Sequence, residues 1–210
     1  MSQLAFYVNS DSCITCKACG LACKDKNDLA QGRKFRKIYS QGAGGWSFAG
    51  NGAAIPNGVF SYSVSVSCNH CAMPLCLASC PSHAIIKRDD GIVYIDQELC
   101  DGCGECATAC PYDAPSLDAE SQKMDKCDFC MDLIDEGETP ICTRACLMEA
   151  LDFGDLEELK AKHSAAVSQV APLPDAAETQ PSLLIDAHRN YREGIDTLCF
   201  NMPEEIKAND

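Results

Sequence analysis

Hydrophobic and polar positions change places quickly along this chain, in bursts too short for long helices. Leu4-Ala5-Phe6-Tyr7-Val8 is a compact apolar run that predicts a strand near the start. Val59-Phe60-Ser61-Tyr62-Ser63-Val64-Ser65-Val66 alternates in part and predicts a second. Ile85-Ile86-Lys87-Arg88 and Ile92-Val93-Tyr94-Ile95-Asp96 flank Asp89-Asp90-Gly91, which reads as strand, turn and strand. Ala150-Leu151-Asp152-Phe153-Gly154 predicts one strand more. The segment after it, residues 155–163, sets acids before bases and predicts a short helix. Residues 131–141 hold Asp132-Leu133-Ile134 and then Gly137, a short helix and a turn. Residues 42–52, with Trp46, are Gly-rich and read as loop. Residues 172–182, from Pro172-Leu173-Pro174 to Pro181-Ser182, read as an extended tail. Leu183-Leu184-Ile185 then predicts a last strand or packed strap. No apolar run approaches the roughly 20 residues that span a bilayer.

Composition changes this picture at one point. The chain has 210 residues, enough for one or two small domains. Its 46% apolar content includes 17 cysteines, and about 38% remains without them. That is thin for a packed core, so something other than side chains is expected to fill part of the interior. The net charge of −14 argues against a nucleic-acid binder, because phosphate contacts need basic surface. The acids are spread along the chain and form no disordered acidic tail. The opening residues show no basic n-region, apolar h-region or twin-Arg pair before Cys13. A chain soluble by itself is the expectation, although a folded subunit can be exported on a signal-bearing partner.

Sixteen cysteines fall into four groups. Cys13, Cys16, Cys19 and Cys23 are spaced C-x2-C-x2-C-x3-C, and Cys100, Cys103, Cys106 and Cys110 repeat that spacing. Cys68, Cys71, Cys76 and Cys80 are spaced C-x2-C-x4-C-x3-C. Cys127, Cys130, Cys142 and Cys146 are spaced C-x2-C-x11-C-x3-C. Cys199 stands outside any spacing rule and reads as a buried or idle thiol. Disulfides fit poorly, since each bridge needs its own Cα separation and four thiols lie within eleven residues. Structural zinc wants two C-x-x-C pairs set apart. C-x2-C-x2-C-x3-C is instead the bacterial ferredoxin run, whose fourth Cys ligates the other cluster of a pair.

Sixteen ligands make four [4Fe-4S] clusters, and the swap rule predicts which cysteines share one. The second and third groups flank the predicted hairpin at 85–96 and form one ferredoxin-like unit. Its cluster A takes Cys68, Cys71, Cys76 and Cys110, and its cluster B takes Cys100, Cys103, Cys106 and Cys80. The outer groups lie beside the first predicted strand and the one at 150–154. Cluster C then takes Cys13, Cys16, Cys19 and Cys146, and cluster D takes Cys127, Cys130, Cys142 and Cys23. The fold class is α+β: two ferredoxin-like 2[4Fe-4S] units, one inserted in the other. Residues 1–30 and 120–165 form the outer unit, 31–66 an insertion of loop and strands, 67–119 the inner unit and 166–210 an extended C-terminal tail. Lys17, Lys24, Lys26, Lys87, Lys123 and Lys126 lie near the groups, either offsetting cluster charge or as solvated surface. Arg33-Lys34-Phe35-Arg36-Lys37 reads as a docking face for an acidic partner or as a solvated loop. His70, His83, His163 and His188 have no catalytic partner at diagnostic spacing, and His70 reads as packing beside a cluster. No phosphate loop or dinucleotide fingerprint is present. Redox centres without a substrate site make an electron conduit, not an enzyme.

At these residues the chain resembles a known family. Cys13-Ile14-Thr15-Cys16-Lys17-Ala18-Cys19, Ala22-Cys23-Lys24-Asp25, Phe35-Arg36-Lys37-Ile38-Tyr39 and Ser67-Cys68-Asn69-His70-Cys71 carry the likeness. So do Cys80-Pro81, Lys87-Arg88-Asp89-Asp90-Gly91, Ala109-Cys110-Pro111-Tyr112, Lys126-Cys127-Asp128, Pro140-Ile141-Cys142 and the 150–154 run. Together with Thr179-Gln180-Pro181-Ser182-Leu183 they are similar to the four-cluster iron–sulfur subunit of dimethyl sulfoxide reductase-type molybdenum enzymes. The resemblance implies a catalytic subunit with a molybdopterin centre of Mo or W, and a membrane anchor subunit that oxidises quinol. It implies membrane association through partners, on the extracytoplasmic face by co-export, with a cytoplasmic home the alternative. Thr15 stands where a Gly is usual and Leu147 where a Pro is usual, both beside cluster C. Cys103 is a cysteine where some relatives carry Trp and a three-iron cluster, so all four clusters are expected to be four-iron. A polyferredoxin-like subunit of a hydrogenase or formate-linked complex shares this chemistry. A zinc-organised interaction scaffold does not.

Overall fold

The computed structural model describes residues 2–191 and the backbone of 198–200. The expected tail reached residue 210; residues 192–197 and 201–210, and the side chain of Cys199, lie outside the described residues. A three-stranded sheet joins the ends of the chain. Its middle strand is β1 (Leu4–Asn9), antiparallel to β8 (Leu151–Asp155) and parallel to β9 (Leu183–Asp186). Val8 faces Leu151 on one side and Ile185 on the other. Covered on both faces, β1 is a continuous apolar run without alternation. Phe6 and Val8 join the main core, while Ala5 and Tyr7 pack with Leu184 and with Leu159 of helix α6 (Leu156–Lys162). Asp155 caps that helix, accepting from the backbone N–H of Glu157 at 2.9 Å, with acids in the first turn and lysines in the last.

The second sheet pairs β2 (Lys37–Phe48) with β3 (Ala54–Val66), and β10 (Leu198–Phe200) adds to the outer edge of β2. This corrects the loop expected at 42–52. Residues 42–48 are strand, and only the turn at 49–53 is irregular, closed by Ala49 N–H to Ala53 O at 2.9 Å. Glycine is a poor strand former, but a long partner strand satisfies each backbone group. Gly44 has a specific reason: at φ 119°, a Cβ there would sit 2.5 Å from the Val59 backbone, where the register slips by one residue. The inner half of this hairpin is buried, and its outer half exposes Trp46, Phe48, Ile55 and Val59.

Helix α1 (Ala18–Lys26) packs on α5 (Ile141–Arg144) below the first sheet. Further along, α2 (Leu75–Ala78) packs on α3 (Glu105–Ala109) beside the hairpin of β4 (Ile85–Lys87) and β5 (Val93–Ile95). Each assembly has two antiparallel strands and two short helices. A two-stranded ribbon, β6 (Ser116–Leu117) with β7 (Met124–Asp125), and helix α4 (Met131–Asp135) connect them. The central core stacks Phe6 on Phe129 with ring centroids 4.1 Å apart. Among the described residues, no helix is long and apolar enough to cross a membrane.

Candidate functional site

Every described cysteine is a free thiol. The loops that carry them turn through left-handed backbone, which aims successive thiols inward. Thr15 and Lys17 hold φ 61°, and Gly102 and Gly104 hold 76° and 84° at the matching places of the third group. His70, Phe129 and Cys130 do the same in the second and fourth groups. Left-handed non-glycine residues are costly and persist where the surroundings over-determine them. The fourth cysteines repeat a different loop. His83, Asp113 and Glu149, each three residues after Cys80, Cys110 and Cys146, have φ near 50°, at 53°, 50° and 49°. Ala84 N–H donates to Cys80 Sγ at 3.3 Å, and Ala150 N–H to Cys146 Sγ at 3.2 Å.

These loops bring thiols together across the sequence. Cys68, Cys71, Cys76 and Cys110 line one cavity of about 390 Å3, open mouth included, with Lys126, Tyr112 and Thr179 in its wall. Cys13, Cys16, Cys19 and Cys146 line another of about 380 Å3, with Ser65, Ile14 and Leu151. Cys23 has Cys142 and Cys130 as charged neighbours, and Cys127 has Cys23 and Cys142; all four are buried. Cys106 has Cys100, Cys103 and Cys80. The fourth cysteine of each group thus sits with the first three of another group.

Among the described residues, no group of three or more Cys, His, Asp or Glu converges tightly enough to hold a single metal ion. The cavity-forming sets ring a space instead of meeting at a point. Burial pushes the Cys23, Cys71 and Cys76 thiols up to about 12, and Cys106 and Cys130 up to about 11. Such thiols give up protons only to a strong Lewis acid in the same pocket. Four soft sulfur donors around a cavity with mostly apolar walls fit an iron–sulfur cluster.

Two cations lie among these thiols. Arg36 and Lys126 are each only 2% exposed. Burial opposes their charge, but interaction with the sulfurs of Cys142, Cys19, Cys127 and Cys23 outweighs it for Arg36, and with those of Cys68, Cys127 and Cys76 for Lys126. The basic stretch at 33–37 is therefore largely tied to the protein itself, with Lys34 left exposed. Phe35 and Arg36 are buried, Arg33 pairs with Asp118 at 3.3 Å, and Lys37 with Asp113 at 2.6 Å. Of the other lysines near the groups, Lys17 is exposed, in keeping with the solvated-surface reading, whereas Lys24 reaches the carbonyl of Leu29, Lys87 that of Cys71, Lys123 that of Gln97, and Lys26 pairs with Asp132. His70 accepts from Val93 N–H through Nδ1 at 3.0 Å and turns Nε2 toward Cys127 Sγ at 3.8 Å. Burial and Lys126 hold it well below its ordinary value, so it is neutral and donates from Nε2. Sequence reasoning did not single out Arg36. A signal was present: Arg36 follows an aromatic, Phe35, and no acid lies between Asp28 and Asp89 to partner it locally.

Comparison with known proteins adds identity to this geometry. Residues 59–156 match a family model described as a 4Fe-4S dicluster domain. Over 206 residues the sequence is 45% identical to a probable anaerobic dimethyl sulfoxide reductase subunit, YnfG of Escherichia coli, covering 98% of this protein and 99% of that one. It is 43% identical over 207 residues to the B subunit of the anaerobic dimethyl sulfoxide reductase of Haemophilus influenzae, covering 98% and 100%. It is 33% identical over 189 residues to the B subunit of the polysulfide reductase of Wolinella succinogenes, covering 88% and 93%.

Proposed function

The protein belongs to the family of iron–sulfur B subunits of dimethyl sulfoxide reductase-type enzymes, and on that footing we propose that it is the non-catalytic electron-transfer subunit of a molybdoenzyme complex. Cys68, Cys71, Cys76 and Cys110 hold cluster A. Cys100, Cys103, Cys106 and Cys80 hold cluster B. Cys13, Cys16, Cys19 and Cys146 hold cluster C. Cys127, Cys130, Cys142 and Cys23 hold cluster D. When bound, each [4Fe-4S] cluster supplies one one-electron centre. The protein binds the clusters, separates them from water and fixes their electrostatic surroundings. The repeated assembly of two strands and two helices supports reading 67–119 as one ferredoxin-like unit inserted in another at 1–30 and 120–165.

The single observation that carries this reading is the juxtaposition of four thiols, drawn from two sequence groups, at each of four places. It also tells against the zinc scaffold, since four thiols line each of two cavities that suit a cluster better than a single ion. The partners are a molybdopterin catalytic subunit with Mo or W and a membrane anchor linked to quinone. The complex stands on the extracytoplasmic face by co-export. Ile14 and Met148 are exposed and line the cavity with exposed Cys16, and Leu147 beside Cys146 and Leu99 beside Cys100 are exposed too. Apolar surface beside an accessible centre suits a partner that must approach closely. Near-full-length identity to dimethyl sulfoxide reductase subunits supports that branch over a hydrogenase- or formate-linked complex.

Anaerobic purification from the native host tests the proposal. The brown absorption should bleach with dithionite and return on adding an S-oxide only while the catalytic subunit is attached. A subunit that reoxidises with S-oxide by itself would be an enzyme. A colourless subunit loaded with zinc would be a scaffold.

A further inference from the structure

Buried charges in proteins are paired or bound to metals, because desolvating an ion without a partner is expensive. Arg36 and Lys126 depart from the commoner solution. Among the described residues, neither makes an ion pair with a carboxylate; the hydrogen bonds of Arg36 go to neutral oxygens, and Lys126 bonds two carbonyls and the Cys68 sulfur. Arg36 donates from Nη1 to Ser65 Oγ at 3.2 Å and from Nη2 to Ser67 Oγ at 3.0 Å, with its guanidinium 4.6 Å from the centre of the Phe6 ring. Its Nε is buried with no hydrogen-bond partner. Lys126 donates to the carbonyls of Val93 and Cys127. The groups each one faces are cysteine sulfurs, which become anionic as ligands of a cluster.

Their positions are specific. Lys126 lines the cavity of Cys68, Cys71, Cys76 and Cys110, and its backbone adjoins Cys127 of the fourth group. Ser65, the hydrogen-bond partner of Arg36, also reaches Cys19 Sγ at 3.4 Å and lines the cavity of Cys13, Cys16, Cys19 and Cys146. Arg36 lies over Phe6, which packs in the same core as Cys23, Cys127 and Cys142. Each cation therefore stands between two thiol sets, whereas the groups that most shift Cys80, Cys103 and Cys106 include neither cation.

We infer that Arg36 and Lys126 are electrostatic positioning residues, two buried cations that raise the reduction potentials of the clusters at C and D and at A and D respectively, and leave B unbiased. The inference rests on the proposed cluster ligation. A cluster with its four thiolates carries about −2 when oxidised and about −3 after accepting one electron from a donor. A fixed cation in low dielectric stabilises the more negative state more strongly. Site D, facing both cations, receives the largest upward bias. In the metal-free protein the same two charges oppose folding, which couples cluster insertion to the closing of this core.

The test is a redox titration monitored by electron paramagnetic resonance, on the intact complex purified without oxygen. Lys126→Met should lower the midpoint potentials of two of the four signals, and Arg36→Met should lower two, with one signal common to both. Lys126→Arg and Arg36→Lys should restore wild-type potentials. Full iron with four unmoved potentials, or an equal shift of all four, overturns the inference. Should a Met variant lose a cluster, the charge-keeping variant decides. Retention in Lys126→Arg supports the need for charge, and loss there too shows a steric role and overturns it. Wild-type complex with fewer than four signals and less iron would instead count against the four-cluster reading itself.

Discussion

Thr15 and Gly102 occupy the same place in two copies of one loop, between the first and second cysteines of their groups. Both have left-handed backbone, yet their surroundings differ. A Cβ at Gly102 would lie 2.1 Å from the carbonyl oxygen of Gln122. Thr15 instead has room and places Oγ1 2.8 Å from Ser63 Oγ. Gly102→Ala should therefore displace the loop and cost the complex about four of its irons, measured per copy of this subunit. Thr15→Gly should keep all of them. Its backbone relief of about 1–2 kcal/mol and its lost hydrogen bond of about 1 kcal/mol nearly cancel in denaturant unfolding. Equal iron loss in the two variants would contradict this difference. The swapped ligands make a second residue-level prediction. Cys146→Ser should remove the signal of cluster C and spare D, whereas Cys23→Ser should remove D and spare C. The reverse pattern would refute the outer pairing. The cysteine positions were legible because their spacing is itself the chemical signal. The burial of Arg36 was not, because charge in a sequence reads as surface until a buried anion is known to lie beside it.

At the scale of elements, the tail returns to the start of the chain. Strand β9 lies parallel to β1, so Ile185 is wholly buried against Val8. Ile185→Ala should cost about 2–4 kcal/mol in denaturant unfolding of the holoprotein. Ile55→Ala, on the exposed outer half of the β2–β3 hairpin, should stay within about 0.5 kcal/mol. A small cost at Ile185 would mean that the tail is dispensable to the core. Leu183-Leu184-Ile185 announced this strand by its apolar run, as Leu4 to Val8 announced β1. Nothing local said that the two would pair in parallel, since that depends on a connection of nearly thirty residues, 156–182. Strand β2 was hidden for the opposite reason. Its glycines lower strand propensity, and only the partner strand, remote in sequence, restores it.

For the whole molecule, the account predicts that cluster binding and folding are coupled. Five cysteines, Cys19, Cys23, Cys68, Cys127 and Cys142, belong to the same core as Phe6, Val8, Phe129 and Ile185. Removing iron would leave these cavities unfilled and two cations facing neutral thiols. Iron chelation should abolish cooperative thermal unfolding and open the protein to protease, whereas an unchanged melting midpoint would show that the polypeptide folds alone. The class of fold was legible at this scale, because the thin apolar fraction and the four cysteine groups call for the same inorganic core. The swap rule proposes which thiols share a cluster, and the loops after Cys80 and Cys146 repeat one geometry in which a backbone N–H donates to the fourth thiol. The most direct measurement is elemental analysis of the complex, purified gently and without oxygen, with Fe, Zn, Mo and W counted per copy of this subunit. About 16 Fe from this subunit, plus about four more where the catalytic subunit carries its own cluster, with about one Mo or W is expected for four clusters beside a molybdopterin subunit. Zinc in place of iron would contradict the electron-transfer account.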